Sequence, residues 1–173
     1  MKQIALALAL TLPATTLSAD PMQFTALEGG PLNLRDYAGH VVVVVNTASF
    51  CAYTPQYQAL QQLHDSDEGI TVVGLPSDDF GGQEYGTEEE VAEFCEAMFG
   101  ITFPMSDILH VRGTQAHEFF DWVGTQDVAG AQAQWNFHKW IIAPDGTLAG
   151  SLPTAITPES AEMRDMIARA RTM

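Results

Sequence analysis

Basic residues are scarce in this chain: its 173 residues include 7 Lys and Arg against 22 Asp and Glu, a formal net charge of −15. Nucleic acids and anionic membrane surfaces are bound by basic patches, so this balance argues against both as partners. It also disfavours a small anionic substrate unless a local basic pocket exists, and leaves most of the acids as a solubilising surface. Long hydrophobic runs are missing beyond the first residues. No later stretch approaches the ~18 apolar residues of a membrane span, so no stable membrane insertion is expected. The five histidines are scattered without metal-ligand spacing. Cysteine is limited to Cys51 and Cys95, too far apart for the closely spaced pair of a thiol–disulfide oxidoreductase.

The first nineteen residues read as a secretory signal peptide. Lys2 supplies a positive start, "IALALALTLPATTL" is an apolar segment too short to span a bilayer, and "TLSAD" offers small residues for cleavage after Ala19. Residues 20–173 then form one domain with a core of its own. Export with a simple signal points to a secreted protein of a bacterial periplasm. In that compartment two cysteines ordinarily form one structural disulfide.

Strand and helix signals alternate along this domain. "GHVVVVVNTAS" is a continuous β-branched run, as expected of a strand buried on both faces. Thr54-Pro55 looks like a helix start, with Thr as N-cap and Pro at the first helical position, followed by Tyr57, Leu60 and Leu63 at helical spacing. "ITVVGLP" is a second buried strand. "TEEEVAEFCEAMFG" opens with Thr87 and Glu90 in capping-box spacing and closes on Gly100, with Val91, Phe94, Cys95 and Met98 as its apolar face. "QAHEFFDWVG" is a short helix, and "FHKWIIAPDGTLAGSLP" a hairpin turning at Pro-Asp-Gly. Thr157-Pro158 starts a last helix carrying Met163, Met166 and Ile167. The order predicts an α/β domain, a central mixed sheet flanked by helices.

Cys51 falls between a buried strand and a helix start. Free N–H groups there favour an anion, which suits a reactive thiolate, yet a buried inert cysteine fits a strand end equally well. "FGGQE" follows the second strand, at the end of the sheet where open α/β folds place their ligands, and two glycines allow the sharp turn that aims Gln83 inward. "WNFHKW" adds the indole of Trp135 and the amide of Asn136. These neutral donors suit a thiolate and a bound oxygen without introducing a competing cation.

Taken in order, "NTASFCAYTPQY", "LPSDDFGGQEYG", "EEVAEFCEAMFGITFP" and "WNFHKWIIAPDGT" resemble the glutathione peroxidase family from about Phe24 to Pro158. The resemblance implies a thioredoxin-like fold and a site of Cys51, Gln83, Trp135 and Asn136. It implies reduction of hydrogen peroxide and of organic or lipid hydroperoxides through a Cys51 sulfenic acid, with no metal or organic cofactor. Cys95 matches the resolving cysteine of thioredoxin-dependent members, which would form a disulfide with Cys51 that a thioredoxin-like dithiol then opens. Its place on an apolar helix face equally suits a buried core cysteine.

Two departures narrow the expectation. The family's usual Pro-Cys-Asn-Gln-Phe is replaced by Pro76-Ser77-Asp78-Asp79-Phe80. Between Arg35 and Arg164 only Arg112 and Lys139 are basic, whereas the members that use glutathione hold it with basic residues. A dithiol protein is thus the expected reductant ahead of glutathione. The loop Thr125–Gln134 lacks the extra segment of tetrameric members, so a monomer with an open site is expected. The rival readings are a peroxiredoxin, disfavoured by Ala48 where that family has Thr, and an exported binding or assembly protein with a static Cys51–Cys95 disulfide.

Overall fold

The computed structural model describes residues 20–173; the signal peptide expected at 1–19 lies outside the described residues. A short antiparallel hairpin, β1 (Gln23–Thr25) with β2 (Pro31–Asn33), comes first, followed by a 3₁₀ turn at Leu34–Tyr37. The remaining elements in chain order are β3 (Val41–Thr47), α1 (Gln56–Asp65), β4 (Ile70–Pro76), α2 (Glu88–Phe99), α3 (Glu118–Thr125), β5 (Lys139–Ile142), β6 (Leu148–Leu152) and α4 (Ala161–Ala170). The main sheet has the order β4-β3-β5-β6. β3 and β4 are parallel, and the other two pairings are antiparallel.

The valine run makes β3 the central strand because both of its faces are covered. Val41, Val43 and Val45 point toward Tyr57, Leu60, Val91, Cys95, Met163 and Ile167, on α1, α2 and α4. Val42 and Val44 point the other way, toward Phe119, Val123 and Trp140 and the Met22–Leu34 region. All five are essentially inaccessible to solvent, and each such side chain contributes roughly 1.5–3 kcal/mol of burial. Parallel β3 and β4 end together, with Thr47 opposite Pro76. The loops leaving both strands therefore emerge side by side, one carrying Cys51 and the other Gln83.

Helix boundaries follow the sequence closely, with shifted starts for α1 and α4. α2 is capped as expected: the Glu90 N–H donates to Thr87 Oγ1 at 3.3 Å, and Gly100 closes the helix at φ 60°. Met98, expected on its apolar face, is 66% exposed. α1 begins one residue later than Thr54-Pro55 suggests, with Pro55 at its cap and no side-chain cap bond. α4 starts after Ser160, whose Oγ accepts the Met163 N–H at 3.1 Å, because Pro158 and the preceding Thr157 belong to a turn. The β1–β2 hairpin has only three residues per strand, too few for a period-2 pattern to register. Among the described residues no helix is long and apolar enough to cross a membrane.

Candidate active site

Cys51 is 6% exposed in the connection between β3 and α1. Three residues of this connection turn through successive i→i+3 bonds: Thr54 N–H to Cys51 O at 3.0 Å, Gln56 N–H to Tyr53 O at 2.9 Å, and Tyr57 N–H to Thr54 O at 3.0 Å. Cys51 thus heads a tight turn that leads into α1. The Thr54 hydroxyl accepts the Cys51 N–H at 3.0 Å and donates to Ala48 O at 2.7 Å, so it ties the loop backward instead of capping the helix. With its own N–H engaged, Cys51 directs its sulfur at the Tyr53 N–H, 3.5 Å away. A negatively charged sulfur uses such a donor better than a neutral thiol does.

The β4–α2 loop is locked to this turn. Phe50 N–H donates to Gln83 O at 2.9 Å. The next residue, Glu84, is 9% exposed, and its Oε1 accepts the Ser49 N–H at 3.2 Å and the Tyr85 N–H at 2.9 Å. Burial raises the Glu84 carboxyl above its ordinary value, against the opposing effect of its Ser49 and Tyr85 bonds. Gly81 and Gly82 have φ of 84° and 60°. These are consecutive left-handed residues that side-chain-bearing amino acids adopt only with strain, and they swing the chain around so that Gln83 returns to the β3 end.

The third segment comes from the residues before β5. Asn136 is fully buried, and its Nδ2 donates to Gln83 Oε1 at 3.2 Å and to Phe80 O at 3.3 Å. With the Gln83 carbonyl turned to Asn136, the Gln83 Nε2 is left as a donor for the site. Two features hold Asn136 in place. Asn46, the last residue but one of β3, brackets the turn through Nδ2 to Trp135 O at 3.2 Å and Oδ1 from His138 N–H at 3.0 Å. Phe137 adopts a φ of 62°, unusual for a bulky residue, with its N–H on Asn46 O and its ring buried edge-on against Tyr57. Backbone strain of this kind costs on the order of 1–3 kcal/mol and persists where surrounding contacts over-determine it. Trp135 is 40% exposed and packs its ring 5.8 Å from Phe80.

The structure therefore bonds Gln83 directly to Asn136, ties Gln83 to the residue before Cys51, and sets Trp135 on the same Phe80 that Asn136 touches. Cys95 lies elsewhere, on the inner face of α2, 2% exposed in the core cluster that also includes Cys51. Both cysteines are free thiols. Burial, with a smaller push from Glu84, raises the Cys95 thiol to about 11 despite the neighbouring Tyr57 hydroxyl. Sequence reasoning missed Asn46, Thr54, Glu84 and Phe137 as supports of the site. Asn46 and Thr54 stand within the same stretch as Cys51, but only the folded contacts reveal which way their side chains turn.

The two cations between Arg35 and Arg164 are both occupied. Lys139 is completely buried, its Nζ donating to Gln56 Oε1 at 2.5 Å, Ile156 O at 2.7 Å and Thr154 O at 3.3 Å. Arg112 donates to Asp79 O and lies 4.5 Å over the Phe80 ring.

Comparison with known proteins identifies the family and the fold. The sequence profile of the glutathione peroxidase family matches residues 21–124. Hydroperoxy fatty acid reductase gpx1 of Synechocystis sp. is 38% identical over 144 residues, covering 78% of this chain and 85% of that protein. Glutathione peroxidase-like peroxiredoxin GPX5 of Chlamydomonas reinhardtii is 35% identical over 140 residues, covering 79% and 86%. The crystal structure of apo Trgpx superposes with a TM-score of 0.67 at 27% identity, covering 87% of this chain and 93% of that one. The fold is thioredoxin-like, and this chain belongs to the glutathione peroxidase family of peroxidases.

Proposed function

We propose that this protein is an exported, monomeric thiol peroxidase that reduces hydrogen peroxide and organic or lipid hydroperoxides at Cys51 and is recycled by a thioredoxin-like dithiol. The Cys51 thiolate attacks the distal peroxide oxygen, forming an S–O bond as the O–O bond breaks. The departing alkoxide or hydroxide takes a proton and leaves as alcohol or water, and Cys51 is oxidised to a sulfenic acid. Gln83 Nε2 and the Trp135 indole N–H orient the peroxide and stabilise charge on its oxygens, while Asn136, its amide hydrogens bonded to Gln83 Oε1 and Phe80 O, holds the Gln83 amide in place. Cys95 then attacks the sulfenic sulfur. An S–S bond forms, the hydroxyl leaves as water after protonation, and an external dithiol reduces the disulfide by exchange.

The observation that carries this reading is the Asn136–Gln83 amide pair tied through Phe50 to Cys51. It orients the Gln83 amide on a loop bonded to the residue before Cys51, which heads a helix-entry turn. The engagement of Lys139 and Arg112 supports a dithiol protein over glutathione, whose carboxylates need free cations. Phe50 and Tyr53, 55% and 37% exposed on either side of Cys51, offer apolar surface to a bulky hydroperoxide. The hydroperoxy fatty acid reductase of Synechocystis bears on the same substrate class.

Peroxide consumption with a thioredoxin system as donor tests the reading. Cys51→Ser should abolish turnover, and Gln83→Ala should slow Cys51 oxidation by roughly 10²-fold, as expected for loss of one oriented donor. Turnover by Cys51→Ser near the wild-type rate would move the chemistry elsewhere. A wild-type protein that consumes no peroxide and keeps a static Cys51–Cys95 bridge would instead be a binding or assembly protein.

A further inference from the structure

The departure at Asp78-Asp79 has a structural consequence outside the four residues of the site. Asp79 carries its side chain away from solvent, 12% exposed, toward the His110–Arg112 segment that precedes α3. Its Oδ2 accepts the Val111 N–H at 2.7 Å and the Arg112 N–H at 3.2 Å, and its Oδ1 meets His110 Nδ1 at 2.8 Å. Arg112 returns a side-chain bond to the Asp79 carbonyl and covers one side of Phe80. Phe80 is 3% exposed. Its ring meets Trp135 and its carbonyl accepts Asn136 Nδ2.

We propose that Asp79 is a positioning residue for peroxide reduction: its carboxylate clamps the Asp78–Gln83 loop onto His110–Arg112 and thereby holds Phe80, Gln83 and Asn136 in register with Cys51. The inference rests on the peroxidase reading above. The need for a clamp comes from the loop itself. Two successive glycines precede Gln83, and glycine loses more conformational freedom on ordering than any other residue. Apart from the Asp79 carboxylate, the loop is held by Gly82 N–H to Asp78 O at 2.9 Å, Asp79 N–H to Ser77 Oγ at 3.3 Å, and the bonds of Phe50 and Asn136.

A carboxylate is the group that fits the clamp. It has acceptor capacity for two backbone donors on one oxygen and a ring N–H on the other, whether His110 is neutral or protonated. The charged groups facing it are His110, Arg112 and, on its own loop, Asp78. The bond from Asp79 raises the His110 pKa, consistent with an ion pair in the protonated state. Asp78, Asp79 and His110 could also be grouped as metal-ligand candidates. Both Asp79 oxygens are already spent on protein donors, which makes the cluster a clamp.

The test is the second-order rate of Cys51 oxidation by hydrogen peroxide, read per folded molecule and as a ratio to wild type at each pH. Asp79→Ala is expected to lose about 10-fold or more, the scale on which small misplacements of reacting groups act. Asp79→Asn distinguishes positioning from bulk stability. Its Oδ1 can serve the Val111 and Arg112 N–H groups while Nδ2 donates to a neutral His110, so it should stay within about 3-fold of wild type at pH 8. At pH 5.5 a protonated His110 presents a donor to that Nδ2, and the ratio should fall. Asp145→Ala, which removes similar turn bonds to Thr147 in the β5–β6 connection, should match wild type throughout. A lowered melting temperature for Asp79→Ala with an unchanged oxidation rate would overturn the proposal, as would an Asp79→Asn ratio that does not vary with pH. Should Asp79→Ala fail to fold, the Asp79→Asn ratio decides. A wild-type Cys51 no faster than free cysteine would overturn the peroxidase reading and the clamp with it, whereas fast wild type with indifferent Asp79 variants removes the clamp alone.

Discussion

Replacing Thr87 with Ala removes the N-cap of α2, the helix that buries Cys95. In the folded state Cys95 is a poor nucleophile, 2% exposed with its thiol raised from 9.0 to about 11. Two pKa units correspond to about 100-fold less thiolate than the same thiol would have when released to water. Attack on Cys51 also requires the two Cα atoms to come within ~7 Å with suitable Cβ directions. Under the resolving role proposed for Cys95, the attack should require local opening of α2, with a rate that scales with the open population. Thr87 contributes two bonds, accepting the Glu90 N–H at 3.3 Å and donating to Glu90 Oε2 at 2.9 Å. Losing such a cap costs about 1 kcal/mol, so the open population and the rate of disulfide formation should rise about 5-fold. The opposite change is available at the other end, where the last turn holds no basic residue. Glu96→Lys complements the helix dipole by about 0.3–1 kcal/mol and should slow the step by about 2- to 5-fold. The assay is one equivalent of peroxide, acid quenching at intervals, alkylation of free thiols and mass measurement of the intramolecular disulfide. Cys51 oxidation itself should keep its wild-type rate in both variants. Disulfide rates that do not move, or that move in the same direction in both, would refute opening as the controlling step, and recovery of Cys95 as free thiol during turnover would return it to a purely structural role.

Two further expectations concern buried charge. Burial lowers Lys139 from 10.5 to about 7, so between those values the unfolded chain binds more protons and stability rises with pH; over pH 7 to 9 the contribution is about 2 kcal/mol. Urea midpoints of wild type minus Lys139→Met should therefore grow across that interval, and a constant difference would mean that Lys139 does not titrate there. For Glu84 the sign is reversed, because its folded pKa is raised by burial: stability falls as pH climbs from 4.5 through the folded value. Glu84→Gln keeps an acceptor for Ser49 and Tyr85 and should gain on wild type between pH 4 and pH 7 in the same assay, while an unchanged gap would show that the carboxyl is not held in its neutral form.

Much of the architecture is legible from local chemistry. Five consecutive valines demand a strand covered on both faces, and β3 is that strand. "ITVVGLP" coincides with β4, and the Thr87/Glu90 box with Gly100 bounds α2 because cap and C-terminal glycine act within a few residues of chain. The residues offered for the chemistry, Cys51, Gln83, Trp135 and Asn136, came from the order of four family-like motifs, since position alone leaves Cys51 equally well read as a buried inert thiol. Other features depend on partners far away in sequence. Thr54 has the signature of a helix cap, yet it bonds back to Ala48 because the loop that holds Cys51 is tighter than a cap allows. Lys139 reads as a surface charge on a hairpin, and becomes a core residue only because Gln56, Thr154 and Ile156 bring three acceptors around it.

The sequence by itself determined the element order, the central strand and the supply of one thiol and neutral donors, since periodicity, capping and turn chemistry are encoded within a turn or two of chain. Only the tertiary structure decided that Asn136 turns the Gln83 amide by a bond spanning 53 residues, and that Asp79 finds His110 and Arg112 more than 30 residues on. Those contacts exist because parallel β3 and β4 end level with one another and β5 returns antiparallel beside them, bringing three distant loops to one edge of the sheet.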